Sequence, residues 1–213
     1  MKASFLTLVF NLLSFFFFHA QSPTDFSGKI HFKQTKGSAQ MSYNYFVKGE
    51  MIRIEEFNED DKLVGTQLVN IKKKEHFVIS PERKLFLKAK KRRSPANLEI
   101  DVTKTTNKKT ILGFDCFEVV AVNQQQDRKI VYWITKDNYS FFKPLISVLN
   151  RKEKQQLYFQ KIKGLENCIP LKATEYVIST GRPISTSKIL SIDSGSLEDS
   201  LFMVPESYSE FEN

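Results

Sequence analysis

From Phe26 onward, apolar and polar residues alternate with a period of two. Ile30 and Phe32 stand between polar neighbours, and Met41, Tyr43, Tyr45 and Val47 do so over a longer run. Ile52 with Ile54, Phe77 with Ile79, and Leu85 with Leu87 repeat the signature. Successive side chains of a strand point to opposite faces, so this spacing predicts half-buried strands. The breaks carry turn chemistry: Lys36-Gly37-Ser38, Lys48-Gly49-Glu50, Asn58-Glu59-Asp60-Asp61 and Ser80-Pro81-Glu82. Strands this close, with no helix between them, pair as antiparallel neighbours in a meander.

A second group of strands is expected at Leu98–Val102, Lys109–Asn123 and Arg128–Thr135. In the last of these, Ile130, Tyr132 and Ile134 oppose Val131, Trp133 and Thr135, so both faces are apolar and both call for cover. The period then changes. Phe141, Phe142, Leu145, Ile146 and Leu149 recur at helical spacing, which predicts one helix within Tyr139 to about Glu153, with Pro144 tolerable only near its first turn. Leu157–Ile162 reads either as a second short helix or as a return strand. Alternation resumes at Leu171, Ala173, Glu175 and Val177 and again over Ile184–Ile192, and the chain closes with Leu201-Phe202-Met203-Val204-Pro205. With no internal repeat and no linker, the fold class expected is α+β, mainly β: one domain with an antiparallel sheet covered by one or two helices.

The N-terminus departs from this pattern. Lys2 precedes the apolar runs Phe5–Phe10 and Leu12–Phe18, and His19-Ala20-Gln21 follows as a small-residue cleavage site. A permanent span needs about 20 apolar residues, so this reads as a signal peptide cut after Ala20. The expected mature protein, residues 21–213, has 213 − 20 = 193 residues and a charge of +8 − 1 = +7. It would be exported, to the periplasm or beyond. No cysteine lies near the cut, so no lipid anchor is expected.

The positive charge is concentrated in Lys72-Lys73-Lys74 and in a cluster of Lys88, Lys90, Lys91, Arg92 and Arg93. Such runs are either solvated turns or a basic patch facing an anionic membrane surface or an acidic protein. Nucleic acid is not expected as a partner, because an exported protein rarely meets it and no aromatic-interleaved RNA motif is present.

Five pieces occur in order along the chain: Phe26-Ser27-Gly28-Lys29-Ile30, Lys109 to Cys116 (KTILGFDC), Tyr132 to Asp137 (YWITKD), Ile169-Pro170-Leu171, and Phe202 to Tyr208 (FMVPESY). Together they resemble the bacterial family described as domain of unknown function 4412. Its members look like exported proteins related in fold to LolA, the periplasmic lipoprotein carrier. The resemblance implies a strongly curved antiparallel sheet, an open half-barrel, with helix over its concave face. It implies no reaction, since none is established for the family.

Candidate chemistry is sparse. Cys116 and Cys168 are the only cysteines, and an even count in an oxidising compartment favours a disulfide. Closing the intervening loop of 168 − 116 = 52 residues would stabilise the fold by roughly 4 kcal/mol on the chain-entropy estimate. Two unpaired thiols serving as small apolar filling is the other reading. A nucleophilic cysteine would need a base, and a zinc site would need ligand spacing; His31 and His76 supply neither, so no catalytic residue, metal or cofactor is expected. No phosphate loop, zincin, nucleophile-elbow or calcium-loop motif occurs. The function this favours is a non-enzymatic binding or carrier protein holding an apolar, acyl- or lipid-like ligand between sheet and helical lid. Trp133, Phe141, Phe142, Leu145, Ile146 and Leu149 are its candidate cavity residues. The alternative is an envelope structural or protein-interaction module with no small-molecule ligand.

Overall fold

The computed structural model describes residues 25–90 and 98–211. The first six strands are β1 (Ser27–Lys36), β2 (Ala39–Lys48), β3 (Met51–Phe57), β4 (Leu63–Asn70), β5 (Glu75–Ser80) and β6 (Leu85–Lys88). They form a continuous antiparallel meander, in which β4 was not among the expected strands nor the turn that joins it to β5 among the expected breaks. After them come β7 (Asp101–Ile111), β8 (Phe114–Asn123) and β9 (Arg128–Lys136). Two helices follow, α1 (Phe142–Leu149) and α2 (Lys154–Lys161), before β10 (Cys168–Val177) and β11 (Pro183–Ser194). A 3-10 turn at Asp199–Phe202 leads to a short β12 (Ser209–Glu210).

The twelve strands among the described residues belong to one open, curved sheet in the order β12-β6-β5-β4-β3-β2-β1-β11-β10-β9-β8-β7. Two meanders therefore spread in opposite directions from a central seam, where β1 meets β11. Bulges at His31/Phe32 along that seam and at Pro170/Lys172 in β10 add local twist to it. Gly28 is required at the seam: its φ is +147°, and a Cβ there would lie 2.2 Å from the Asp193 carbonyl oxygen.

The helical segment differs from the sequence expectation. The helix expected to run to about Glu153 stops at Leu149, because Asn150 adopts a left-handed conformation (φ 43°) and its N–H bonds back to the Ile146 carbonyl. Pro144 falls in the first turn of α1, where its missing N–H has no intrahelical partner to lose. Leu157–Ile162 joins α2 and its C-terminal boundary, so the second-helix reading holds over the return strand.

The two helices divide the core. Leu145 and Leu149 of α1 join Ile30, Tyr43, Tyr45, Val47, Ile52, Ile54 and Val69 of the first arm. Ile146, one residue round the helix from Leu145, joins Ile130, Tyr132, Ile134, Tyr158, Phe159 and Ile162 on the second. α2 is seated by polar bonds as well. The Tyr132 hydroxyl donates to the Gln155 carbonyl (2.7 Å), Gln155 Nε2 donates to Ser185 Oγ (2.9 Å), Ser187 Oγ donates to Gln155 Oε1 (2.6 Å), and Ser185 Oγ donates to Glu175 Oε2 (3.0 Å). The other face of the first arm is covered by the C-terminal segment. There Lys48 Nζ donates to the Leu197 carbonyl (2.7 Å) and Arg53 Nη1 to the Leu201 carbonyl (3.4 Å), while Phe202 is buried.

The expected disulfide is not formed; both cysteines are free and buried. Register explains why. Phe117 pairs with Ile134, and Ile134 with Pro170, so these three share a face with Cys168, two residues before Pro170. Cys116 neighbours Phe117 and therefore points to the opposite face. Their Cβ vectors diverge across the sheet, and the two thiols fall in different core clusters. They serve as the small apolar filling of the second reading. Burial pushes both thiols above their ordinary pKa, which keeps them protonated and poorly nucleophilic.

Candidate functional site

The register carries the inner face of the sheet outward past α1. Ile54 pairs with Gln67, Gln67 with Val78 and Val78 with Leu87, while Ile52 pairs with Val69 and Val69 with His76. Gln67, His76, Val78 and Leu87 thus continue the face that packs beneath Leu145 and Leu149 nearer the seam. Here α1 reaches over β4 and β5, and beyond its flank part of this face stays open. A groove of about 680 Å³ opens between β4–β6 and the flank of α1 formed by Pro144, Ser147, Val148 and Leu149.

Its walls are mixed. Ile71, Val78, Leu87 and Val148 are apolar, and Gln67 Oε1 and His76 Nε2 satisfy one another at 2.9 Å. Lys74, Lys88, Lys90 and Arg151 add positive charge. Lys88 is paired with Glu75 at 2.8 Å. Arg151 follows the left-handed stop of α1 and lies 5.8 Å from the Tyr43 ring centroid. Burial works against its charge, but Tyr45, Tyr43, Glu153 and Glu56 outweigh that and raise its pKa overall. Burial, with Glu56 adding to it, pushes the Tyr43 phenol up to about 12. Both groups hold their neutral-pH charge states firmly.

A second cavity, about 60 Å³, lies under α2 between Phe32, Tyr45, Tyr132, Phe142 and Phe159. One water needs roughly 10–15 Å³ of such volume, so this space suits a few waters and not an acyl chain. Gln156 Oε1 is buried without a hydrogen-bond partner and lines it.

The candidate cavity residues separate. Phe141, Leu145 and Ile146 are buried in the packed core. Phe142 lines the small cavity and Leu149 the groove. Trp133 lies under neither helix: it pairs with Glu118 and Lys172 on the face opposite Tyr132, with Lys109 Nζ 3.7 Å from its ring centroid. The outer cover that the doubly apolar β9 called for is therefore partly a lysine stem and charge. Of the basic cluster, Lys88 and Lys90 line the groove, whereas Lys91, Arg92 and Arg93 lie outside the described residues. Sequence reasoning missed Lys74, His76 and Arg151 as neighbours. Alternation could have placed His76 and Val78 on one face, but nothing in the sequence brings Arg151 to them. Among the described residues there is no group of three or more His, Cys, Asp or Glu suited to a metal ion, and no helix long and apolar enough to cross a membrane.

The family model "Domain of unknown function (DUF4412)" matches residues 26–208. No curated protein matches the chain in sequence. Among solved structures, an uncharacterized conserved protein from Thermus thermophilus is similar over 87% of this chain and 90% of its own, at 9% identity and a TM-score of 0.52, which shows a shared fold. A structure titled PNGF-II aligns over 86% of this chain but 30% of its own, at 15% identity and a TM-score of 0.43. A LolA superfamily protein from Nitrosomonas europaea covers 85% and 91%, at 11% identity and a TM-score of 0.33. The last two are too loosely superposed to support an argument.

Proposed function

We propose that this chain, which belongs to the DUF4412 family, is an exported, non-enzymatic carrier that holds an apolar ligand in the groove between α1 and the β4–β6 arm. The observation that carries this reading is the groove itself: at about 680 Å³ it falls within the range of roughly 300–1,000 Å³ usual for small-molecule sites. It is also the part of the concave face where apolar side chains stand uncovered; Val78 is 39% exposed at the centre of a strand. The ligand enters beside α1, with the helix as a fixed wall. Export rests on the N-terminal sequence, with cleavage after Ala20. The rival reading, an interaction module adding strands at a sheet edge, is disfavoured by β7. That edge strand carries Lys104, Lys108 and Lys109, a common device against strand addition.

The test uses residues 21–213 and a fluorescent fatty acid. Wild type should take up the probe saturably. Ser147→Trp places an indole into the groove from an exposed helix position, so it should abolish uptake while leaving the thermal midpoint nearly unchanged. A wild-type protein that binds no apolar probe refutes the carrier reading.

A further inference from the structure

We infer that the groove selects an anionic amphiphile, its chain lying along Val78, Leu87 and Val148 and its charged head beside Lys74, Lys90 and Arg151. This rests on the carrier reading and adds to it the class of ligand. The charge of the lining is one-sided: among the described residues fifteen line it, of which four are Lys or Arg and none is Asp or Glu. Glu75 engages Lys88, which leaves three cations facing the space. Glu56 and Glu153 act on Arg151, but neither lines the groove.

A cleft of one sign with low-dielectric walls focuses its field on the ligand. The apolar walls then distinguish among anions. Each methylene buried along them adds to binding, a contribution that a bare phosphate or acetate lacks. A neutral chain of the same length keeps that contribution but gains nothing from the lysines, and a cationic head is repelled. Lys74 and Lys90 are exposed, so they can swing their ammonium groups onto a head at the mouth while their stems lie on its upper chain.

The experiment compares decanoate, decanol and decyltrimethylammonium, each below its aggregation concentration, by displacement of a neutral fluorescent probe at low salt. Decanoate should bind about tenfold more tightly than decanol, as expected for two or three partly exposed charge contacts, and decyltrimethylammonium weakest. The double substitution Lys74→Gln with Lys90→Gln should bring decanoate close to decanol and leave decanol unchanged. Raising salt to about 0.5 M should narrow the same gap in wild type. If all three ligands bind equally and the double variant changes nothing, head recognition is overturned while the carrier reading stands. If none binds, both fall. If a glutamate-rich decapeptide binds and decanoate does not, the groove belongs to an acidic protein segment, and the amphiphile assignment is overturned.

Discussion

Whether α1 is a wall or a detachable lid is decided by Leu145. It is 0% exposed and belongs to the cluster that contains Tyr43, Tyr45 and Phe141. Leu145→Ala removes three carbons, a loss of about 2.4 kcal/mol at roughly 0.8 kcal/mol each. The neighbours are strands of a twelve-stranded sheet and cannot follow the retreating side chain, so a cavity contribution adds to this. A total cost of about 3–4 kcal/mol sits inside the usual range for such changes, about 2–5 kcal/mol. For a domain of this size the thermal midpoint should fall by about 6–16 °C. Urea unfolding followed by far-ultraviolet circular dichroism measures the cost directly, with an unchanged slope as the check that the denatured state is unaltered. A loss below about 1 kcal/mol at unchanged slope would refute the packed wall: α1 would then float above the sheet, and the ligand space would extend beneath it.

Gly28→Ala should destabilise by more than about 1 kcal/mol, because the new Cβ meets the Asp193 carbonyl and alanine resists a positive φ; an unchanged urea midpoint would show that the seam yields. Cys116 and Cys168 should resist alkylation in the native protein and both react in denaturant without reductant; a cross-linked peptide in the non-reduced digest would contradict the opposed register. Stability should decline from about pH 10 to 12. Tyr43, Tyr139 and Tyr158 are each raised from 10.0 to about 12, chiefly by burial, so the unfolded chain ionises first. The stability these phenols contribute is complete below about pH 10 and lost as pH rises through about 12. Ionisation followed by ultraviolet absorbance, with a midpoint in folded protein no higher than that of an ordinary phenol, would contradict this.

Strands with clear alternation were legible because alternation is a local property. β4 was not among those expected, and the strand expected over Lys109–Asn123 is divided between β7 and β8 at Leu112-Gly113. The turns Lys36-Gly37-Ser38 and Lys48-Gly49-Glu50 separate runs whose registers need no distant information, and β1 to β3 form where period and turn chemistry place them. The pairing of β1 with β11, which unites the two meanders, is a contact across most of the chain and leaves no local trace. The disulfide expectation failed for the same reason. Count and compartment favoured a bridge, but the direction of each thiol depends on strand parity along β8, β9 and β10. Helical spacing correctly marked Leu145, Ile146 and Leu149 as an inward face. It could not tell a filled interface from a cavity, because apolar periodicity is the same in both.

Helix length against sheet width accounts for the groove. α1 and α2 have eight residues each, and at about 1.5 Å per residue each is about 12 Å long. Twelve strands at about 4.8 Å spacing make a sheet more than four times as wide. Two such helices cover only part of its concave face, α1 against β4 and β5 and α2 against β10. One core cluster is centred on the first arm and the other on β8–β10. Past the flank of α1, Val78 of β5 and Leu87 of β6 continue the inner side uncovered. The C-terminal segment holds the outer face of β2 and β3 through Lys48 and Arg53, while the apolar inner side at Val78 and Leu87 stays open. Exposed apolar surface at a strand centre lowers stability unless something covers it. An occupant that covers it, with lysines at the mouth to receive a negative head, is what this geometry leaves room for.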